Sequence, residues 1–132
     1  MRSATQIVQD TLQKFGDGNI DGILGNMSND VEFRIPAMEH VPFAGTTYRG
    51  KEQVRKFFSL LSETQIVRVF EPLDFIAQGD KVVVLGRYAW TVRQTGKPLE
   101  GEWAHVWTIR DGKVARFDEY TDTAAASAAH RG

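Results

Sequence analysis

From residue 64 onward the chain reads as strands only, and this run narrows the possible folds more than any other feature. Apolar and polar residues alternate over roughly 64–76, 81–93, 99–110 and 113–121, the two-residue period of half-buried strands. Gln78-Gly79-Asp80, Thr95-Gly96-Lys97 and Asp111-Gly112 stand where tight hairpin turns are needed. Strands joined this closely form an antiparallel meander. Such a sheet needs a cover for its apolar face.

The first half of the chain supplies that cover. Ser3 followed by Gln6 makes a capping box, and Ile7, Val8, Leu12 and Phe15 recur at helical spacing, which predicts a helix over residues 4–15. Gly16-Asp17-Gly18 breaks it. Asn19 can cap a short second helix whose apolar face is Ile20, Ile23, Leu24 and Met27. Val31, Phe33 and Ile35 alternate with Glu32 and Arg34 as a strand, with the two charged residues on the solvated side. Residues 36–50 hold two prolines and two glycines and read as a long, irregular connection, the kind of loop that is usually functional or disordered. A third helix follows Gly50, with Val54, Phe57, Phe58 and Leu61 on one face. The tail at 124–132 is alanine-rich, a frayed helix or a disordered end.

These elements predict a single α+β domain over residues 1–123, three N-terminal helices packed on a strongly curved, mostly antiparallel sheet. Where the helices do not fill the curve, a cavity remains. Strand 81–93 carries apolar groups on both faces, so a homodimer through the sheet is the simple way to cover the outer one. Its length of 132 residues suits one domain with its own core.

Composition then limits the chemistry. The chain has no cysteine, which excludes disulfides, thiolate metal sites and a thiol nucleophile. Sixteen basic against seventeen acidic residues argue against nucleic acid as a partner. No run approaches a membrane span, and the N-terminus lacks the order of a signal peptide, so a cytoplasmic domain without membrane contact is expected. No phosphate loop or GxSxG elbow is present, and the three histidines show no metal-ligand spacing, so neither a metal nor a cofactor is expected. Any catalysis falls to His, carboxylate, Arg or Tyr groups.

His105 is the most informative candidate, because it interrupts a strand otherwise built for burial, between Trp103 and Trp107. Its neighbour on the last strand depends on the turn. A two-residue Asp111-Gly112 turn opposes His105 to Asp118, whereas a three-residue loop including Lys113 opposes it to Glu119. The second register also sets Phe117 by Trp107, where the first would set Arg116 there, so alternation favours His105–Glu119. A carboxylate beside a partly buried imidazole orients the ring, favours its protonated form and can make an acid–base dyad. The same pair can equally be a structural hydrogen bond between two buried polar groups. Arg87, on the side of Leu85 and Val83, could bind an anionic oxygen or hold Glu119, or be a rim arginine. Trp107 and Phe117 would form an apolar wall, and Ile35, His40 and Tyr48 complete the expected ligand-binding set.

The run Gly16-Asp17-Gly18-Asn19-Ile20-Asp21-Gly22-Ile23, with Asn29-Asp30-Val31 and Pro42-Phe43-Ala44-Gly45 before Tyr48-Arg49-Gly50, resembles the SnoaL-like branch of the nuclear transport factor two-like superfamily. Gly101-Glu102-Trp103-Ala104-His105, Asp111-Gly112-Lys113-Val114 and Glu119-Tyr120-Thr121-Asp122 are similar to the same branch, so the resemblance spans about residues 5–123. It implies a cone-shaped domain with a deep apolar pocket and frequent sheet-to-sheet dimers. In polyketide cyclases of the SnoaL type a histidine on the penultimate strand and an aspartate on the last act in the pocket; His105 matches the first, and Glu119 keeps the carboxylate of the second. The apparatus of ketosteroid isomerase is missing, since its base falls near Ile35, its tyrosine at Thr11 and its protonated aspartate near His105. Of the Asp-Arg-Asp arrangement in limonene-type epoxide hydrolases, Arg87 and Glu119 resemble two members and the third position is Ala89.

The resulting expectation is a small, cofactor-free enzyme that abstracts a proton alpha to a carbonyl of an apolar small molecule, leading to isomerisation or aldol-type cyclisation. Glu119 is the acid or base, His105 its partner at the substrate oxygen, and Arg87 an orienting cation. The alternatives are a non-catalytic small-molecule-binding or dimerisation module and, behind it, an epoxide hydrolase-like enzyme or a protein-interaction domain.

Overall fold

The structure, a computed structural model, describes residues 2–132 and begins with the capping box. The Ser3 hydroxyl accepts from the Gln6 amide at 3.1 Å, and the Gln6 side chain accepts from the Ser3 amide at 2.8 Å, starting α1 (Ala4–Gly16). The Asn19 side chain caps α2 (Ile20–Gly25) by accepting from the Gly22 amide. Met27, expected on that helix, instead opens strand β1 (Met27–Ile35). The Asn26 carbonyl accepts from the Val114 amide at 2.8 Å, which draws the chain into the sheet just before Met27.

Residues 36–50 are not wholly irregular. They contain strand β2 (Thr46–Arg49), which folds back on β1 with Phe33 opposite Tyr48 and Ile35 opposite Thr46. Two threonines and a tyrosine suit a pleated edge, but the surrounding prolines and glycines mask so short a run. Helix α3 (Gly50–Thr64) follows, then β3 (Gln65–Gln78), β4 (Lys81–Val92), β5 (Pro98–Arg110) and β6 (Lys113–Thr121). Among the described residues the sheet has six strands in the order β2-β1-β6-β5-β4-β3, with β1 parallel to β6 and every other pair antiparallel. This is the expected α+β class. Irregularities at Val67/Val69 and Pro72/Asp74 interrupt the β3–β4 ladder, and bulges of this kind bend a sheet.

The turn between β5 and β6 resolves the register question in an unforeseen way. Asp111 and Gly112 both take positive φ, 51° and 74°, as a two-residue hairpin turn requires, and Arg110 pairs with Lys113. That turn belongs to the register with Asp118 beside His105. Yet His105 pairs with Glu119, because Thr108 pairs with Arg116 and Ile109 with Val114, leaving Ala115 as an extra residue. A bulge, not a longer loop, restores the alternation.

The tail is ordered as helix α4 (Thr123–His130), with Ala126, Ser127, Ala129 and His130 buried. Asp122 caps it by accepting from the Ala125 amide. The Thr95 hydroxyl donates to the Ala129 carbonyl at 2.7 Å and Lys97 to that of Arg131 at 2.6 Å. Alanines, which suit either a frayed helix or a disordered end, are here the small side chains that let this helix sit close to the sheet.

The helices cover one face. On the other, Glu32 bridges to Arg49 at 2.6 Å and to Arg116 at 3.7 Å, while Asp118 is held by Arg116 at 2.9 Å and Arg34 at 3.5 Å. Beside these ion pairs lie exposed Leu85 and Tyr120, at either end of a row through Ala104, and Ile76 near the sheet edge. No helix among the described residues is long and apolar enough to cross a membrane.

Two contacts give stability predictions. A Cβ on Gly86 would lie 2.3 Å from the Trp103 ring and 2.5 Å from the Glu71 carbonyl, so neither a rotamer change nor a small shift of one side chain relieves it. Gly86→Ala is expected to cost roughly 1–3 kcal/mol, read as a lower urea midpoint with altered tryptophan near-ultraviolet dichroism. The Asp10 carboxylate accepts from Lys14 and from Asn26, and is held at about 2, below its ordinary 3.8, chiefly by the Lys14 hydrogen bond and then by Asn26. Because the folded value lies below the unfolded one, this contribution is full above about 3.8 and is lost as pH falls toward about 2. Denaturation at stepped pH should show a shallower acid loss for Asp10→Asn than for the wild type.

Candidate functional site

Strand parity decides which side chains meet under the helices. Val84 pairs with His105 and His105 with Glu119, so these three share the inner face; Gly86 and Trp103 follow on it, then Tyr88 and Gly101, then Trp90 and Leu99. Two glycines shape this surface. Gly86 leaves room for the Trp103 indole, and Gly101 lets the Tyr88 ring lie over it. Together with residues from α1, α3 and α4 they line a cavity of about 80 Å³. At roughly 10–15 Å³ for one water, that is room for several waters rather than one.

The lining is almost wholly aromatic and aliphatic, with Phe33, Phe58, Phe70 and Trp107 prominent. His105 is packed within it: its ring stacks on Trp103 at 3.9 Å and meets the edge of Phe117 at 4.7 Å. His105 Nε2 lies 3.9 Å from Glu119 Oε1, too long for a direct hydrogen bond and short enough for a bound atom to bridge. Burial pushes the His105 pKa down, and Glu119 only partly opposes it. The ring is therefore a neutral imidazole. Nothing in the protein pairs with His105 Nδ1.

Tyr88 is a lining residue that sequence reasoning missed, although its even-numbered spacing from Val84 places it on the same face. Burial raises its phenol pKa, Glu119 and Asp122 add to this and the Thr121 hydroxyl opposes it, so Tyr88 retains its proton. His130 was missed as well, and no local signal pointed to it. Its Nδ1–H donates to the Ala126 carbonyl at 2.7 Å, which leaves Nε2 to accept from the Gln65 amide at 2.6 Å. This pins the end of α4 over the cavity.

The expected residues divide. His105, Glu119, Trp107 and Phe117 line the cavity together. Arg87 does not: the side it shares with Leu85 and Val83 is the outer face, where its side chain is 53% exposed and donates to Glu71 at 2.5 Å. Arg87 and Glu119 thus stand on opposite faces of the sheet, which removes the partial epoxide hydrolase arrangement. Tyr48 is buried but one layer out, its hydroxyl donating to the Phe43 carbonyl and its ring against Phe57. Ile35 is core without bordering the cavity, and His40 is exposed in a turn at φ 68°. Met38 and Phe43 from the same connection reach the cavity in their place. Among the described residues, no three His, Asp or Glu side chains converge as a metal ion would need.

The family description SnoaL-like domain matches residues 8–117. An NTF2-like protein from Burkholderia xenovorans LB400 is 34% identical, with 97% of this chain and 95% of that one covered and a TM-score of 0.88. A second, from Burkholderia thailandensis E264, is 31% identical over the whole of both chains with a TM-score of 0.91. TerC, solved after co-crystallization with polyporic acid, is 30% identical over 98% of each chain with a TM-score of 0.86. A search of curated proteins finds no match.

The depressed imidazole gives a direct test. An NMR titration should show His105 still neutral at a pH below its ordinary 6.5, and Glu119→Gln should lower its midpoint further by removing the opposing charge. Because the unfolded chain takes up this proton first, stability should fall as pH drops below about 6.5 and level off once the folded ring protonates.

Proposed function

This chain belongs to the SnoaL-like domain family, and we propose that it is a pocket enzyme performing acid–base chemistry alpha to a carbonyl of an apolar small molecule. The observation that carries this reading is the facing of His105 and Glu119, 3.9 Å apart and unbonded, inside a largely apolar cavity. Glu119 takes the proton from the carbon beside the carbonyl. The neutral His105 ring, which has one N–H to give, and the protonated Tyr88 phenol are donors for the oxygen on which negative charge develops. In a cavity with few competing waters such donors act strongly. Return of the proton at another carbon completes an isomerisation; attack of the enolate on a second carbonyl completes an aldol-type cyclisation. The co-crystallization of TerC with polyporic acid supports a small-molecule occupant for this fold.

A second reading is a binding module in which His105 and Glu119 only serve each other, favoured by the closeness of the aromatic packing around the imidazole. Turnover of enolisable polycyclic ketones separates the two. Wild-type protein should catalyse proton exchange at the alpha carbon, and Glu119→Gln should reduce the rate by about 10²-fold or more while ligand binding persists. Equal rates in the two proteins would remove Glu119 from the chemistry, and tight calorimetric binding without exchange in either would favour the binding module.

A further inference from the structure

The hydrogen bonds of His105 do not explain how its ring is held. Nothing in the protein pairs with Nδ1, and Nε2 lies 3.9 Å from Glu119 Oε1, beyond hydrogen-bond range. The working nitrogen of a histidine is ordinarily fixed by the hydrogen bond that its other nitrogen makes. Here that bond is missing, although the residue is only 5% exposed. The tryptophans do not supply it. The indole N–H groups of Trp90, Trp103 and Trp107, all lining the same cavity, are themselves buried without a partner. What Trp103 offers His105 is its ring face: the centroids are 3.9 Å apart and the planes 18° from parallel.

We propose that Trp103 is a positioning residue: its ring face, in place of the missing hydrogen bond, holds the His105 imidazole in the plane that aims Nε2 at Glu119. Phe117 meets the imidazole edge-on, at 4.7 Å and 71°, so the two aromatic groups restrain it in different directions. Trp103 can serve because it is itself held flat. Phe70 stacks on it at 4.9 Å, with the planes only 11° from parallel. Across the ladder Gly86 leaves it room, since a Cβ there would stand 2.3 Å from the indole. Residues of β3, β4 and β5 therefore act through one indole on one imidazole. The inference rests on the reading of His105 as a donor to the substrate oxygen, and names the group that orients that donor.

NMR relaxation of the His105 ring tests this without any substrate. The wild-type ring should be as ordered as rigid backbone, with an order parameter of about 0.85. Trp103→Leu should let it fall below about 0.6, while Trp103→Phe, which keeps a ring face, should hold it near the wild-type value. The aim of the ring is read from Glu119, the charged neighbour whose pull it feels. Glu119→Gln should displace the His105 titration midpoint at most about half as far in the Trp103→Leu background as in the wild type, because a turning ring no longer keeps Nε2 close to the carboxylate. With an enolisable ketone, Trp103→Leu should lower kcat for alpha-proton exchange roughly tenfold or more and leave KM nearly unchanged. A mobile wild-type ring overturns the proposal without reference to any variant's folding. So does an ordered ring in Trp103→Leu, an equal loss of order in Trp103→Phe, an undiminished effect of Glu119→Gln, or an unchanged kcat once the ring is loose. If the ring stays ordered in Trp103→Leu while Glu119→Gln abolishes exchange, the positioning role fails alone; if the ring loosens as expected and Glu119→Gln is silent, the catalytic reading fails alone.

Discussion

The pairing of β5 with β6 is the constraint on which the rest of the structure depends. One extra residue at Ala115 lets a two-residue turn coexist with a ladder that sets Glu119 beside His105 and Phe117 beside Trp107. Without it, every side chain of β6 beyond the bulge would exchange faces. Asp118 would point at the cavity, and Glu119 would join Glu32 and Arg116 on the outer face. The cavity's composition and the outer ion-pair lattice thus share one cause. Both follow from a local irregularity three residues beyond the turn.

The other shaping element is glycine on the inner face. Gly86 accepts the Trp103 indole and Gly101 the Tyr88 ring, so large aromatic groups lie across the sheet instead of standing up from it. Lying flat, they wall a cavity rather than fill it. They also surround His105 closely enough that desolvation outweighs the attraction of a carboxylate 3.9 Å away. The neutral state of the ring is therefore a product of packing. The carboxylate alone would have predicted the reverse.

The fold was legible because its signals are local. The capping box at Ser3, the apolar face of α3 and the alternation of β4 to β6 each need only a window of residues. The site was half legible for the same reason: His105, Trp107, Phe117 and Glu119 follow from alternation within one hairpin. What failed was long-range. Arg87 was placed on the right side of its strand, but nothing local says which side faces the helices. The strand at Thr46–Arg49 is recognisable only through its partner β1, and the alanine-rich tail becomes a helix over the cavity only because Thr95, Lys97 and Gln65 are there to hold it.

By itself, then, the sequence determined the α+β class, the membership of a SnoaL-like family and the His105–Glu119 facing, since periodicity and parity are properties of neighbouring residues. Tertiary structure alone decided the faces of the sheet, the closure by α4 and the protonation state of His105. It also decided that three indole donors would share one cavity without partners. Those depend on what stands across the core from each residue, and distance along the chain carries no record of that.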